Sequence, residues 1–213
     1  MSKLYIVGIG PGSPDYVTPA ARKAINSSEI IIGSKRALDL FPGVREKIEM
    51  KADDVQQKLK LALDVVRQGN VVSVLSTGDP GFSGVLNPIL RFINDTADAT
   101  SDIEIKVIPG ISSMQLCAAR LQISWDNTDF ITLHGKGVSQ ELLDVLDNGK
   151  PTIILPNFKV EEIARFLLDN GVNTERRVAV CEKLSYPDEK IVKTTLKGLL
   201  DESFSYMCVI VIF

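Results

Sequence analysis

Residues 75–84 read LSTGDPGFSG. The stretch follows VVSV, Val71–Val74, an apolar run of the kind that forms a buried strand. It precedes VLNPILRFI, where Val85, Leu86, Ile89, Leu90 and Ile93 recur at helical spacing. A polar, glycine-rich loop therefore leaves a central strand and runs into a helix. In open α/β sheets, ligands bind beyond the carboxyl ends of the strands. Gly78, Gly81 and Gly84 would let backbone approach a ligand closely, and Pro80 stiffens the turn. Thr77, Asp79 and Ser83 offer hydroxyl and carboxylate groups. On its own the loop reads equally well as a plain strand-to-helix connection with convenient glycines.

Working back from this loop, Leu4–Val7 is a first strand running into GIGPGSPDYVT. Gly8, Gly10 and Gly12 resemble a dinucleotide fingerprint, but that pattern must open directly into a helix. Here Pro11 and Pro14 intervene, and helix signals begin only at Thr18, an N-cap, with Pro19 in the first turn. The long, stiff loop suits the wall of a cleft better than a pyrophosphate cradle. Ile30–Ile32 is a second strand ending at Gly33. Lys35 and Arg36 follow just past its end; such cations are usually solvated surface, and this position favours facing a cleft. Lys47–Met50 is a third strand. Asp53 and Asp54 open a helix with the stripe Val55, Leu59, Ala62, Leu63 and Val66, closed by Gly69.

Working forward, 94–102 is polar and turn-rich, and Ile103–Ile108 is a strand broken by Pro109 and Gly110. Ser112 and Ser113 begin a helix whose buried stripe is Met114, Cys117, Ala118 and Leu121; amides and hydroxyls at such a start accept polar ligands. We place a boundary here, with one α/β domain over 1–109 and another over 110–213, packed on one another around a cleft. Phe130–Leu133 is a strand ending at His134-Gly135-Lys136. A helix over 139–147 follows, then strand Thr152–Leu155, ending at Pro156 and Asn157. The next helix carries the stripe Val160, Ile163, Ala164, Leu167 and Leu168. Val178–Cys181, Ile191–Thr195 and Met207–Ile212 are closing strands; the last two alternate with turns, which predicts antiparallel pairs and a mixed second sheet.

Composition narrows the function. The chain has 213 residues, 45% of them hydrophobic, and a net charge of −3, with the acid excess in the second half. No basic footprint points to nucleic acid. The three cysteines are scattered in apolar runs and suggest core positions, not a disulfide framework or metal site. His134 is the only histidine, so it can build no metal site alone. The amino terminus breaks to glycine too early for a signal peptide and no run approaches the ~18 apolar residues of a span, so the expectation is a cytoplasmic protein without membrane contact.

The ordered motifs GIGPGSPDYVT, STGDPGFSG, PGISS and CEKLSYPDEKI together resemble the tetrapyrrole methylases over nearly the whole chain. The resemblance implies two α/β/α domains, the first sheet mainly parallel and the second mixed, with the active site in the inter-domain cleft. It implies S-adenosylmethionine as methyl donor, leaving as S-adenosylhomocysteine. By motif position Pro11, Thr77, Gly78, Asp79, Phe82, Ser83, Ser112 and Ser113 would line the donor site, with Pro156 and Leu184 closing it from the second domain. Within the family, GSKRAL, PGISSMQLCAARL with Trp125, LHGKG and EKLSYPDEKI are similar to the branch that methylates C-5 of cobalt-precorrin-7 in cobalamin synthesis. That branch usually has arginine where Lys136 stands, so charge is kept and bidentate carboxylate geometry lost.

The same resemblance implies a tetrapyrrole substrate, a homodimer, and a separate partner for C-15 methylation and decarboxylation. Lys35, Arg36 and Lys136 would meet the substrate's carboxylates, and His134 or Asp15 could take the proton released on methylation. No metal is expected in the protein, because the donor's positive sulfur already activates the methyl group. Two alternatives stay open from sequence: another precorrin or uroporphyrinogen methylase of the same fold, and a non-catalytic metabolite-binding module.

Overall fold

The computed structural model describes residues 2–44, 46–95, 103–157 and 159–213. The chain divides into two compact units, Met1–Ser112 and Ser113–Phe213, three residues beyond the boundary drawn from sequence.

The first unit is a five-stranded sheet of β1 (Lys3–Gly8), β2 (Ile30–Gly33), β3 (Glu46–Glu49), β4 (Val71–Ser76) and β5 (Glu104–Ile108) in the order β3-β2-β4-β1-β5. Every neighbouring pair is parallel. Parallel strands need crossover connections, and those cover both faces. The alternation of side chains along each strand divides the core accordingly. Leu4, Ile6, Ile30, Ile32, Val72 and Val74 pack with Leu59, Leu63 and Val66 of α3 (Val55–Arg67) and Ile89 of α4 (Leu86–Asp95). Val7, Ile31 and Leu75 pack with Ala21, Ala24 and Ile25 of α1 (Pro19–Asn26) and with Ala37 and Leu38 of α2 (Lys35–Asp39).

Several local expectations need correction. Lys35 and Arg36 do follow the end of β2, and there they open a helix the sequence reading did not include, α2, because the Ser34 hydroxyl accepts the Ala37 N–H at 3.3 Å and supplies an N-cap. Asn94 and Asp95 belong to α4, whose apolar stripe carries the helix past the polar turn signal; the rest of that expected turn, 96–102, lies outside the described residues. A short 3₁₀ turn over Pro14–Tyr16 precedes the α1 start at Thr18, held by the Ser13 hydroxyl accepting the Asp15 N–H. Asp54 stands at the start of α3 without capping it; its carboxylate accepts the Lys51 N–H at 2.7 Å instead.

The second unit has α5 (Ser113–Leu121), β6 (Asp129–Thr132), α6 (Gln140–Leu146), β7 (Thr152–Leu155), α7 (Val160–Asp169), β8 (Arg177–Glu182), β9 (Lys190–Thr195) and β10 (Cys208–Ile212). Its sheet runs β6-β7-β10-β8-β9. Only β6 and β7 are parallel; β10 runs antiparallel to β7 and β8, and β8 to β9. This is the mixed sheet expected from the short closing connections. Leu142 and Leu146 of α6 and Ile163 and Leu167 of α7 bury against Ile154, Val180 and Ile210. On the other face α5 packs against β10. Cys117, Cys181 and Cys208 are free and buried, as core residues.

Candidate functional site

The register of the first sheet brings three loops to one edge. Gly8 pairs with Ser76 and Val7 with Ile108, so β1, β4 and β5 end nearly level. The chains that follow, 9–13, 77–84 and 109–112, leave side by side. The Ile9 N–H donates to the Ser76 carbonyl at 3.0 Å. Gly78 N–H donates to the Gly10 carbonyl at 2.8 Å, and Gly10 N–H returns a longer bond to Gly78 at 3.4 Å. The first loop and the central loop are thus laced backbone to backbone.

Glycine makes this closeness possible at positions whose importance the sequence reading did not draw out. A Cβ on Gly110 would stand 2.2 Å from the Gly78 carbonyl oxygen, and one on Gly8 would stand 2.5 Å from the Gly110 nitrogen. Neither site can hold a side chain without moving backbone. The signal was present as a glycine directly at or after the end of each strand, in VGIG and IPG. Gly84 was expected to favour close approach of a ligand; a Cβ there would instead meet Ser76 Oγ at 2.6 Å and the Pro80 carbonyl at 2.7 Å. Its missing side chain is used by the loop's own fold. Gly78 differs. Its φ is +71°, which favours glycine, and a Cβ would touch only Ser112, at 3.6 Å, in otherwise open space. Gly78, itself buried, thus faces Ser112 without the backbone crowding seen at Gly8 and Gly110.

Asp79 holds two of these loops together. Oδ1 accepts the Gly81 N–H at 2.7 Å, and Oδ2 accepts the Gly110 N–H at 3.0 Å, across 31 residues. On these loops Pro11 is buried, Phe82 and Ser112 are half-buried, and Thr77 and Ser83 are exposed; Ser113, the first residue of the second unit, is half-buried. Ser83 has a φ of 54°, uncommon for a residue with a side chain. The sequence-predicted donor residues of the first unit thus lie on adjoining loops at one sheet edge. Asp15 is exposed on the 3₁₀ turn of the first loop. Lys35 and Arg36 are exposed in the first turn of α2, with Lys35 Nζ 3.7 Å from the Asp39 carboxylate.

In the second unit His134 and Pro156 line one cavity of about 370 Å³ with Lys159, Glu162, Phe204 and Tyr206. Their meeting follows from the parallel pairing of β6 and β7, which places both strand exits at one end. His134 is exposed as a residue, yet partial desolvation of its ring lowers its pKa, opposed by a backbone contact from Leu155. The shift favours the neutral imidazole, the form able to accept a proton. Lys136 is exposed and forms an ion pair with Glu141 at 3.2 Å. Leu184 is buried between Lys183 and Ser185, both at positive φ, 49° and 73°. That loop is fixed by Glu189, whose carboxylate accepts the Ser185 N–H at 2.7 Å and the Arg120 Nε–H at 2.6 Å.

Among the described residues no group of three or more His, Cys, Asp or Glu side chains could hold a metal. No helix among them is long and apolar enough to cross a membrane.

Residues 3–200 match the family model of the Tetrapyrrole (Corrin/Porphyrin) Methylases, and the chain belongs to that family. It is 38% identical over 213 residues, 98% of this chain and 96% of the relative, to a probable cobalt-precorrin-7 C(5)-methyltransferase of Methanocaldococcus jannaschii. A crystal structure of a cobalamin biosynthesis precorrin-6Y methylase from Archaeoglobus fulgidus superposes with a TM-score of 0.73 at 27% identity, covering 100% of this chain and 98% of that one. A uroporphyrin-III C-methyltransferase from Thermus thermophilus, solved in complex with S-adenosylhomocysteine, has the same fold at a TM-score of 0.73 and 20% identity, covering 99% of this chain and 91% of that one.

Proposed function

We propose that the protein transfers the methyl group of S-adenosylmethionine to C-5 of cobalt-precorrin-7. The observation that carries this reading is the 38% identity, over 98% of this chain, to a probable cobalt-precorrin-7 C(5)-methyltransferase, on a fold whose first and central loops are laced together at the carboxyl edge of a parallel sheet. S-adenosylmethionine, when bound, supplies a methyl group on a positive sulfur. In this reading Pro11, Thr77, Gly78, Asp79, Phe82, Ser83, Ser112 and Ser113 hold it, the first seven on loops that leave one edge of the first sheet. Pro156 and Leu184 join the donor site by family resemblance.

The remaining work of the chain is positioning. Holding an electron-rich macrocycle carbon in line with the methyl carbon lowers the barrier by up to about 7–11 kcal/mol when the geometry is close to that of attack. A carbon–carbon bond forms, the carbon–sulfur bond breaks with its electron pair going to sulfur, and a proton is lost from the macrocycle. His134, whose desolvation favours the neutral ring, or Asp15 takes that proton in this reading. Arg36 and Lys136, with Lys35 as a third, bind the acetate and propionate groups of the substrate.

The same reading holds the enzyme to be a cytoplasmic homodimer, with a separate partner performing C-15 methylation and decarboxylation. Mass spectrometry of the tetrapyrrole after incubation with cobalt-precorrin-7 and S-adenosylmethionine tests it. One added methyl with every carboxyl retained is expected. Loss of carbon dioxide with this chain alone, or no mass change, contradicts it.

A further inference from the structure

We propose that Cys117 and Cys181 form a redox-active dithiol, which a hydroperoxide converts to a disulfide joining α5 to β8. Their sulfurs are 3.2 Å apart across 64 residues of sequence, and both side chains are fully buried. A disulfide needs them to close by only about 1 Å more, which a small shift of α5, nine residues long, supplies. The register sets the third cysteine aside. Cys181 pairs with Val209 of β10, whereas Cys208 pairs with Glu182 and lies in the core with Val180 and Ile210. Side chains alternate across a strand, so Cys181 faces α5 and Cys208 faces the opposite layer.

The pair is also chemically unequal. Cys117 donates its S–H to Cys181. That hydrogen bond lowers the Cys181 pKa, helped by Lys193 and Arg120 and opposed by burial and Glu189. The same bond, with burial, raises Cys117. The thiolate is the nucleophile, so Cys181 reacts first. Its sulfur attacks one oxygen of hydrogen peroxide, the O–O bond breaks, and a sulfenic acid forms as water leaves. The Cys117 sulfur then attacks the sulfenic sulfur. The S–S bond forms, the S–O bond breaks, and the oxygen leaves as a second water carrying the Cys117 proton. Two thiols are oxidised by two electrons and one peroxide is reduced. Burial selects both the oxidant and the product: a small hydroperoxide enters where a bulky disulfide does not, and Cys117 is the thiol at hand.

Peptide mapping by mass spectrometry tests this on the folded wild-type protein, Cys117→Ala and Cys181→Ala. Each is treated with hydrogen peroxide well below its melting temperature, then denatured and alkylated. The wild type should yield a Cys117–Cys181 cross-linked peptide that dithiothreitol reverses, with Cys208 alkylated throughout. In Cys117→Ala the Cys181 sulfenic acid should persist and be trapped by dimedone; in Cys181→Ala no cysteine should react. The cross-link closes a loop of 64 residues, so oxidised wild type should melt at a higher temperature than reduced, and reduction should abolish the gain. Three alkylated cysteines after peroxide would overturn the proposal. So would a disulfide that includes Cys208, or a cross-linked protein that melts below the reduced one, since that bond would belong to the unfolded chain. Should either variant fail to fold, the wild-type map and melts decide alone.

Discussion

At the scale of single residues, the glycines of the loops at the first sheet's edge divide into two kinds with different consequences. Gly110 has no room for a Cβ beside the Gly78 carbonyl, whereas Gly78 has room but a left-handed backbone. Gly110→Ala must move a loop and should lower the melting temperature strongly. Gly78→Val introduces about 1–3 kcal/mol of local strain and sets a side chain against Ser112, so the protein should stay folded and lose S-adenosylhomocysteine binding. Thermal melts beside calorimetry check both; tight binding by Gly78→Val would remove the donor site from these loops. The cations proposed to meet the substrate make a separate test. Arg36→Ala and Lys136→Ala should each weaken macrocycle binding by about one to two decades while leaving S-adenosylhomocysteine affinity alone. Because Lys136 is paired with Glu141, Glu141→Gln should free it and tighten the macrocycle at low salt. If neither cation variant changes macrocycle affinity in titrations at low and high salt, backbone and apolar contacts hold the substrate instead.

At the scale of elements, α5 and the Leu184 loop are tied through Arg120 and Glu189. Desolvation raises the Glu189 pKa, but the Arg120 side chain and the Ser185 N–H together outweigh it, so the folded carboxyl titrates below its ordinary range. The stability this confers is present above the unfolded carboxylate pKa of about 4.3 and is lost as pH falls through the lowered folded value. Denaturant melts between neutral pH and about pH 3 should show Arg120→Ala losing about 1 kcal/mol at neutral pH, discounted for partial exposure, with the difference from wild type closing in acid. A difference that does not change across that range would mean the pair contributes nothing through ionisation. The caps of short helices are comparable in size: Thr18 accepts the Ala21 N–H at 3.1 Å at the start of α1, and Thr18→Ala should cost about 1 kcal/mol.

At the scale of the whole molecule, sequence reached the strands and helices because their patterns are local. Buried runs such as VVSV and the period of Leu59, Leu63 and Val66 need no knowledge of distant partners. It did not reach α2, whose five residues are too few for a period and whose cap is a single serine. Nor did it anticipate how α4 overruns the polar signal at Asn94. The three loops were legible as following strand ends, where α/β sheets bind ligands. The Asp79–Gly110 hydrogen bond and the steric need for Gly8 were not, because both depend on three strands ending in register. The free cysteines were placed correctly in the core for a simple reason: each lies in an apolar run. Burial pushes the Cys208 thiol up to about 12, so it should resist thiol reagents at neutral pH in the folded protein.

The central claim is methyl transfer to a defined carbon, and isotopic labelling addresses it most directly. Cobalt-precorrin-7 should be incubated with the protein and S-adenosylmethionine labelled in its methyl carbon, and the product examined by carbon NMR. A single labelled methyl resonance assigned to C-5, with none at C-15 and all acetate carboxyls present, is the predicted result. Label at another carbon, or no transfer from a donor that demonstrably binds, would contradict the account.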